Sequence, residues 1–146
     1  MSGPIEQPRH RAFLDANVLF AAALGGGCAK LWASPAVQLV TSEYAAHEAW
    51  VNLRFAPATE PCRLRLLELL EPPLEFVPWS PQRQHALSAV WTLPDPSDIP
   101  ILTAAIQSSC TYLLTGDTAC FGQYLGRTTE GLTILRPGKF LALLGL

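Results

Sequence analysis

The sequence predicts an α/β fold: a three-layer α/β/α sandwich around a parallel sheet of four to five short strands. Three observations carry this. Short apolar runs alternate with helical stretches along the chain, as parallel strands covered on both faces require. Two of the runs end in an aspartate, at Asp15 and Asp117. The 146 residues form no internal repeat and no linker, which suits one core.

Composition narrows the functional classes. Hydrophobic residues make up 49% and charged residues only 15%, so the chain does not have the make-up of a disordered one. Net charge is −2, which excludes a broad basic footprint for duplex backbone. No run reaches the roughly 20 apolar residues of a membrane span. Residues 1–11 are polar, hold Pro4 and Pro8, and do not read as a signal peptide. Cys28, Cys62, Cys110 and Cys120 form no close metal-ligand spacing, and Cys110 and Cys120 read as small hydrophobes. A cytoplasmic, reduced protein is expected.

The elements follow in order. Residues 1–11 are expected to be a flexible arm carrying the small basic cluster Arg9, His10 and Arg11, with a single domain over 12–146. Residues 12–14 read as the first strand and 18–24 as a buried helix, interrupted by Gly25, Gly26 and Gly27. Residues 28–33 read as a helical turn or two, and 37–40 as the second strand. Ser42 is an N-cap for a helix over 43–55, which Pro57 ends. On that helix Glu48 and Asn52 share a face. A leucine-rich helix over 60–70 is stopped by Pro72 and Pro73, and 74–77 is a strand. Ser80 and Pro81 have the N-cap and first-turn pattern for a helix over 82–91. A proline-rich loop with Asp95 and Asp98 opens a helix through 108, with Pro100 in its first turn. Residues 111–115 are a strand followed by Gly116 and Asp117, and 118–125 a short helix or loop. Residues 132–135 are the last strand, and 138–144 a terminal helix.

The chain has four aspartates, Asp15, Asp95, Asp98 and Asp117. Each of them stands at a strand end or a helix start. Glu48 stands one turn into the helix after the second strand. Strand ends and helix starts share one rim of a parallel sheet, where ligands bind. Carboxylates gathered there repel one another, and a divalent cation relieves this. Oxygen donors suit Mg²⁺ or Mn²⁺, and such sites hydrolyse phosphodiesters. His10, His47 and His85 are scattered and read as surface or helix-face residues. Taken singly, each acid also has an ordinary reading as a helix cap, turn residue or solvated side chain.

Several segments together resemble the PIN-domain nucleases, whose members include the ribonuclease toxins of toxin-antitoxin pairs. They are Phe13-Leu14-Asp15-Ala16-Asn17-Val18-Leu19, Thr41 through Glu48, Asp95 through Ala105, Tyr112 through Asp117, and the closing Leu132 through Leu141. The resemblance spans about residues 11–144 and rests on their order and spacing. It implies a sheet ordered 3-2-1-4-5, with Asp15, Glu48, Asp98 and Asp117 as catalytic, metal-binding carboxylates. Asn17 and Thr115 would support them. Glu43 is the rival of Glu48, and Asp95 is left out of the catalytic set, either to support the ligands from behind or to shape its loop. One or two Mg²⁺ or Mn²⁺ ions and an RNA substrate are implied, with a homodimer or an antitoxin as partner and no membrane. Arg9, Arg11, Arg54, Arg63, Arg65 and Lys139 are candidate RNA contacts. The chain departs from the family in having no further acid within Thr118–Phe121. That departure motivates one alternative, a non-catalytic PIN-like module that binds RNA or protein. A metal-dependent small-molecule phosphatase is the other, and Asn17, where that class wants a second aspartate, argues against it.

Overall fold

The computed structural model describes residues 10–78 and 87–146. Arg9, His85, the cap expected at Ser80 and Pro81, and the first half of the helix expected over 82–91 lie outside the described residues. The central strand, β1 (His10–Leu14), buries Ala12, Phe13 and Leu14 completely. It pairs in parallel with β2 (Val37–Ser42) on one side and β4 (Tyr112–Leu114) on the other. β3 (Glu75–Val77) extends the sheet beyond β2, and β6 (Leu132–Leu135) extends it beyond β4, both in parallel.

The order is β3-β2-β1-β4-β6, with a further strand, β5 (Thr128–Thr129), at the edge beyond β6. Its parallel part has the expected 3-2-1-4-5 arrangement. The added strand pairs antiparallel with β6 across the two-residue turn Glu130-Gly131. Both turn residues have positive φ, 50° and 80°, which matches the twist of a tight hairpin. A two-residue strand is too short to leave an alternation in sequence, and the turn lacks the usual Asn-Gly or Asp-Gly.

The helices are α1 (Ala16–Ala23), α2 (Glu43–Asn52), α3 (Thr59–Leu69), α4 (Ile99–Gln107), α5 (Thr118–Phe121) and α6 (Pro137–Leu143). The chain first moves outward from β1 to β3, then crosses back to β4. Right-handed crossovers of that order lay α1, α2 and α3, which pack together, on one face and α4 on the other. One hydrophobic cluster runs through both layers, with Phe13, Phe121, Phe140 and Leu14 among its largest fully buried members. Ser42 caps α2 as expected, its Oγ accepting from the Ala45 amide at 3.2 Å. Among the described residues no single helix is long and apolar enough to cross a membrane.

The following departures from expectation bear on packing. β1 begins at His10, so His10 and Arg11 belong to the sheet, where His10 packs edge-on to Tyr112 and Phe140. The helix after β2 tightens into a 3₁₀ turn over Leu53–Phe55. Residues 87–91 are not helical. There the Tyr124 hydroxyl shares its one proton between the carbonyls of Val90 and Thr92 and accepts from the Thr92 amide, and Trp91 Nε1 donates to Glu130. The Thr92 amide is thereby taken by a side chain, and not by the carbonyl four residues back as in a helix.

Arg11 is tied down at the amino end of β1. It ion-pairs with Glu75, and its guanidinium donates to the Ser108 carbonyl at 2.7 and 3.2 Å. This joins β3 and the end of α4 to the central strand. Arg11→Met keeps the apolar stem and removes these bonds. It is expected to cost about 1 kcal/mol in thermal or denaturant unfolding, since the ion pair is half-exposed and the charged bond to a carbonyl carries most of the effect.

Candidate metal centre

The sheet order reverses between β1 and β4, and the crevice at such a switch point is where open α/β sheets bind ligands. The register pairs Leu14 with Leu114, so the next residues, Asp15 and Thr115, emerge side by side. The Asp15 amide still donates to the Leu114 carbonyl at 3.1 Å. Asp15 then caps α1, accepting from the Ala16 amide at 2.7 Å. The capping reading and the site reading are thus both true of this residue.

A hydrogen-bonded unit fixes Asp15. Thr115 Oγ1 donates to Asp15 Oδ2 at 2.8 Å and accepts from the Asp117 amide at 3.0 Å. Asn17 Nδ2 reaches both Asp15 Oδ2 and Thr115 Oγ1 at 3.3 Å, while Asn17 Oδ1 accepts from the Gly116 amide at 2.7 Å. The Thr115 hydroxyl has one proton and two lone pairs, and all three are used. Asp15 keeps about one free lone-pair direction. A Cβ on Gly116 would stand 3.4 Å from Asn17 Oδ1, an ordinary contact at its tight limit.

Asp15, Glu48, Asp98 and Asp117 all line one pocket of about 320 Å³, together with Ala16, Asn17, Phe20, Asn52 and Phe55. Their settings differ. Asp15 is buried, Asp98 and Asp117 are half-buried, and Glu48 faces the open side. Asp98 closes a 3₁₀ turn, Pro96–Asp98, and its carboxylate makes no cap. Asp95 takes that role instead, accepting from the Ser97 amide at 2.9 Å, and it does not line the pocket. Asp117 caps α5 through the Cys120 amide at 3.0 Å. Glu43, the rival to Glu48, is exposed in the first turn of α2 and also does not line the pocket.

Burial and crowding push Asp15, Glu48 and Asp98 upward. Burial lifts Asp15 from 3.8 to about 6, against the lowering bonds from Thr115 and Ala16, with further raising by Asp98 and Glu48. Glu48 is raised by its partial burial and then by Asp98, Asp117 and Asp95. Asp98 is raised by burial, Asp117 and Asp95, while a bond from the Cys120 thiol opposes the rise.

Cys120 fills the core as expected, and it has a further role that the sequence reading did not assign. It is buried, as a small hydrophobe would be, yet one ligand atom from each of Asp98, Asp117 and Cys120 lies within 4.8 Å of the others. Burial, followed by the bond to Asp98 and that carboxylate's charge, pushes its thiol up to about 12. The signal available in sequence was its position three residues after Asp117 on a short helix, which puts both on one side. These three residues are able to hold a metal ion, with oxygen donors in the majority.

The candidate RNA contacts scatter. Arg63 donates twice to the Trp50 carbonyl and lies over its ring, and Arg65 donates to the Ala23 carbonyl at 2.9 Å. With Arg11, three of the candidate guanidinium groups are therefore engaged inside the fold. Arg54 lies over the Phe55 ring at 4.6 Å, and Lys139 is exposed in α6, just past the carboxyl end of β6. Asn52, Phe20 and Phe55 line the pocket without having been singled out as site residues. Glu48, Asn52 and Phe55 are four and three residues apart, the spacing of one helix face.

Two outcomes follow from this geometry. Thr115→Val leaves Asp15 and the Asp117 amide without their shared partner. It is expected to cost about 1–3 kcal/mol in unfolding and to push the Asp15 pKa further up, readable by carboxylate NMR titration. Between 3.8 and about 6 the folded Asp15 holds a proton that the unfolded chain releases. Its contribution to stability therefore falls as pH rises through that window, by on the order of 2–3 kcal/mol, when no metal is bound. In EDTA, the melting temperature of wild type relative to Asp15→Asn is expected to drop from about pH 4 to about pH 6 and then level off.

Comparison with known proteins agrees with this architecture. The solved structure of VapBC2 from Rickettsia felis, bound to a DNA fragment from its promoter, contains a chain that superposes with a TM-score of 0.59 at 15% identity. The match covers 85% of this chain and 96% of that one. VapC20 from Mycobacterium tuberculosis, a toxin that cleaves the sarcin-ricin loop, superposes with a TM-score of 0.53 at 14% identity, over 74% of this chain and 92% of that one. At such identities the likeness is one of fold. No curated protein sequence is significantly similar to the chain. The sequence signature of the PIN domain matches residues 11–119, from the start of the central strand through Asp117 and into α5, and the chain belongs to the PIN-domain family.

Proposed function

We propose that the protein is a divalent-metal-dependent endoribonuclease. The observation that carries this reading is the convergence of Asp15, Glu48, Asp98 and Asp117 on one pocket at the switch point of a PIN-domain sheet. Its fold relatives include a toxin that cleaves the sarcin-ricin loop, which supports the RNA substrate that the family resemblance implies.

The donor set fits one or two Mg²⁺ or Mn²⁺ ions, since Asp15, Glu48 and Asp98, raised by burial and then by neighbouring carboxylates, are short of positive charge. Asp15, Asp98 and Asp117 would hold the cation, with Glu48 from the open side. A bound cation supplies positive charge to the scissile phosphate and activates water for in-line attack. The remaining work belongs to the chain. Thr115 and Asn17 hold the Asp15 carboxylate in place at the pocket wall. Asp117 is braced by the Cys120 amide and Asp98 by the Cys120 thiol, so neither swings when the phosphate arrives. Tyr44 donates to the Ser97 carbonyl at 2.9 Å and holds the Asp98 turn against α2 and therefore against Glu48. An antitoxin protein or a second copy of the chain is the expected partner class if the protein acts as a toxin.

The test is cleavage of a mixed single-stranded RNA pool with Mg²⁺, with Mn²⁺ and with EDTA, beside Asp15→Asn. Cutting is expected in either metal, none in EDTA, and a loss of about 100-fold or more in Asp15→Asn. Equal cutting by wild type and Asp15→Asn would trace the activity to a contaminant and sink the reading. Turnover of p-nitrophenyl phosphate without RNA cutting would favour the phosphatase class. Metal binding by titration without either activity would favour a non-catalytic module.

A further inference from the structure

We infer that Phe55, with the Arg54 guanidinium over its ring, is a stacking platform for an unpaired base of the RNA whose phosphate is held at the carboxylates. This rests on the ribonuclease reading and adds to it how the strand is gripped. Phe55 is 72% exposed, the most exposed of the large apolar side chains among the described residues, yet it is part of the wall of the acidic pocket. Glu48, Asn52 and Phe55 make one continuous stripe of α2 and its 3₁₀ extension. From Glu48 to Phe55 is about 10 Å along a helix axis, a span of about one to three nucleotides of single strand. Phe20 of α1 also lines the pocket.

The chemistry selects the occupant. Arg54 covers one face of the Phe55 ring at 4.6 Å, and the high exposure leaves the other face open. A flat ring with one free face, beside a cation and next to a phosphate-binding cluster, suits a base with its backbone. The net charge of −2 and the internal engagement of Arg11, Arg63 and Arg65 leave few cations for phosphates. Affinity must then come largely from base faces, which are available only in unpaired RNA. An apolar protein contact is the competing use of the ring, because Leu64 and Leu67 are exposed on the neighbouring α3.

The experiment uses a labelled single-stranded oligoribonucleotide carrying 2-aminopurine, in the Asp15→Asn background so that the strand is not cut. Phe55→Ala is expected to weaken binding about tenfold and to abolish 2-aminopurine quenching at one or two positions, with an unchanged melting temperature. Phe55→Trp restores both, and Phe55→Leu restores neither, because leucine keeps apolar bulk without a π face. Arg54→Gln is expected to lower the salt slope of binding by about one counterion. Equal affinity and quenching in Phe55→Ala overturns the inference, as does full rescue by leucine. So does a shift in oligomeric state with RNA binding untouched, which would assign the ring to a protein interface. Metal-dependent cutting by wild type with no effect of Phe55→Ala would overturn this inference alone, whereas failure of the wild type both to bind and to cut would overturn the ribonuclease reading with it.

Discussion

The parallel pairing of β1 with β4 is the constraint on which the rest depends. Its register sets Leu14 beside Leu114 and so delivers Asp15 and Thr115 to adjacent positions on the rim. A one-residue slip would turn every side chain of the strand to the opposite face. It would also break the Thr115–Asp15 bond and strip Asn17 of both its anchors. The register is defended by burial: Phe13, Leu14, Leu113 and Leu114 are all fully enclosed. Core packing and site geometry are therefore one problem, solved by the same strands.

The site holds its charges against their preference. Asp15 sits where burial favours the protonated form, and Asp98 and Glu48 crowd the same pocket. Local bonds from Thr115, the Ala16 amide and the Cys120 thiol offset part of this cost without removing it. Such stored electrostatic tension is what a cation relieves, and fold and ligand affinity are thereby linked. The thiol of Cys120 contributes by giving Asp98 a neutral donor in a place where another carboxylate would add repulsion.

Much of this was readable from residue order. Asp15 and Asp117 announced themselves by ending apolar runs, and Ser42 by preceding a helix, because burial of a strand and capping of a helix are local demands. Glu48 and Asn52 were placed on one face by spacing alone. The two-residue β5 left no pattern to read. Residues 87–91 have helical composition, but the Tyr124 hydroxyl and Glu130, more than 30 residues away in sequence, bind their backbone and side chains instead. The arginines misled for the same kind of reason. A cation in sequence looks available, and only the folded chain brings Ser108, Trp50 and Ala23 carbonyls to Arg11, Arg63 and Arg65.

By itself the sequence determined the alternation of strands and helices, the placing of acids at strand ends and helix starts, and with these the PIN-domain membership. Each is a matter of neighbours within a few residues, where hydrophobic period and capping chemistry act. The tertiary structure alone decided that Asp15 is buried and shifted while Glu48 stays open. It alone also brought the Cys120 thiol to Asp98 and left the Phe55 ring standing at the pocket with Arg54 on one side. Those outcomes depend on groups brought together from distant parts of the chain, and on how much water the packing leaves at each of them.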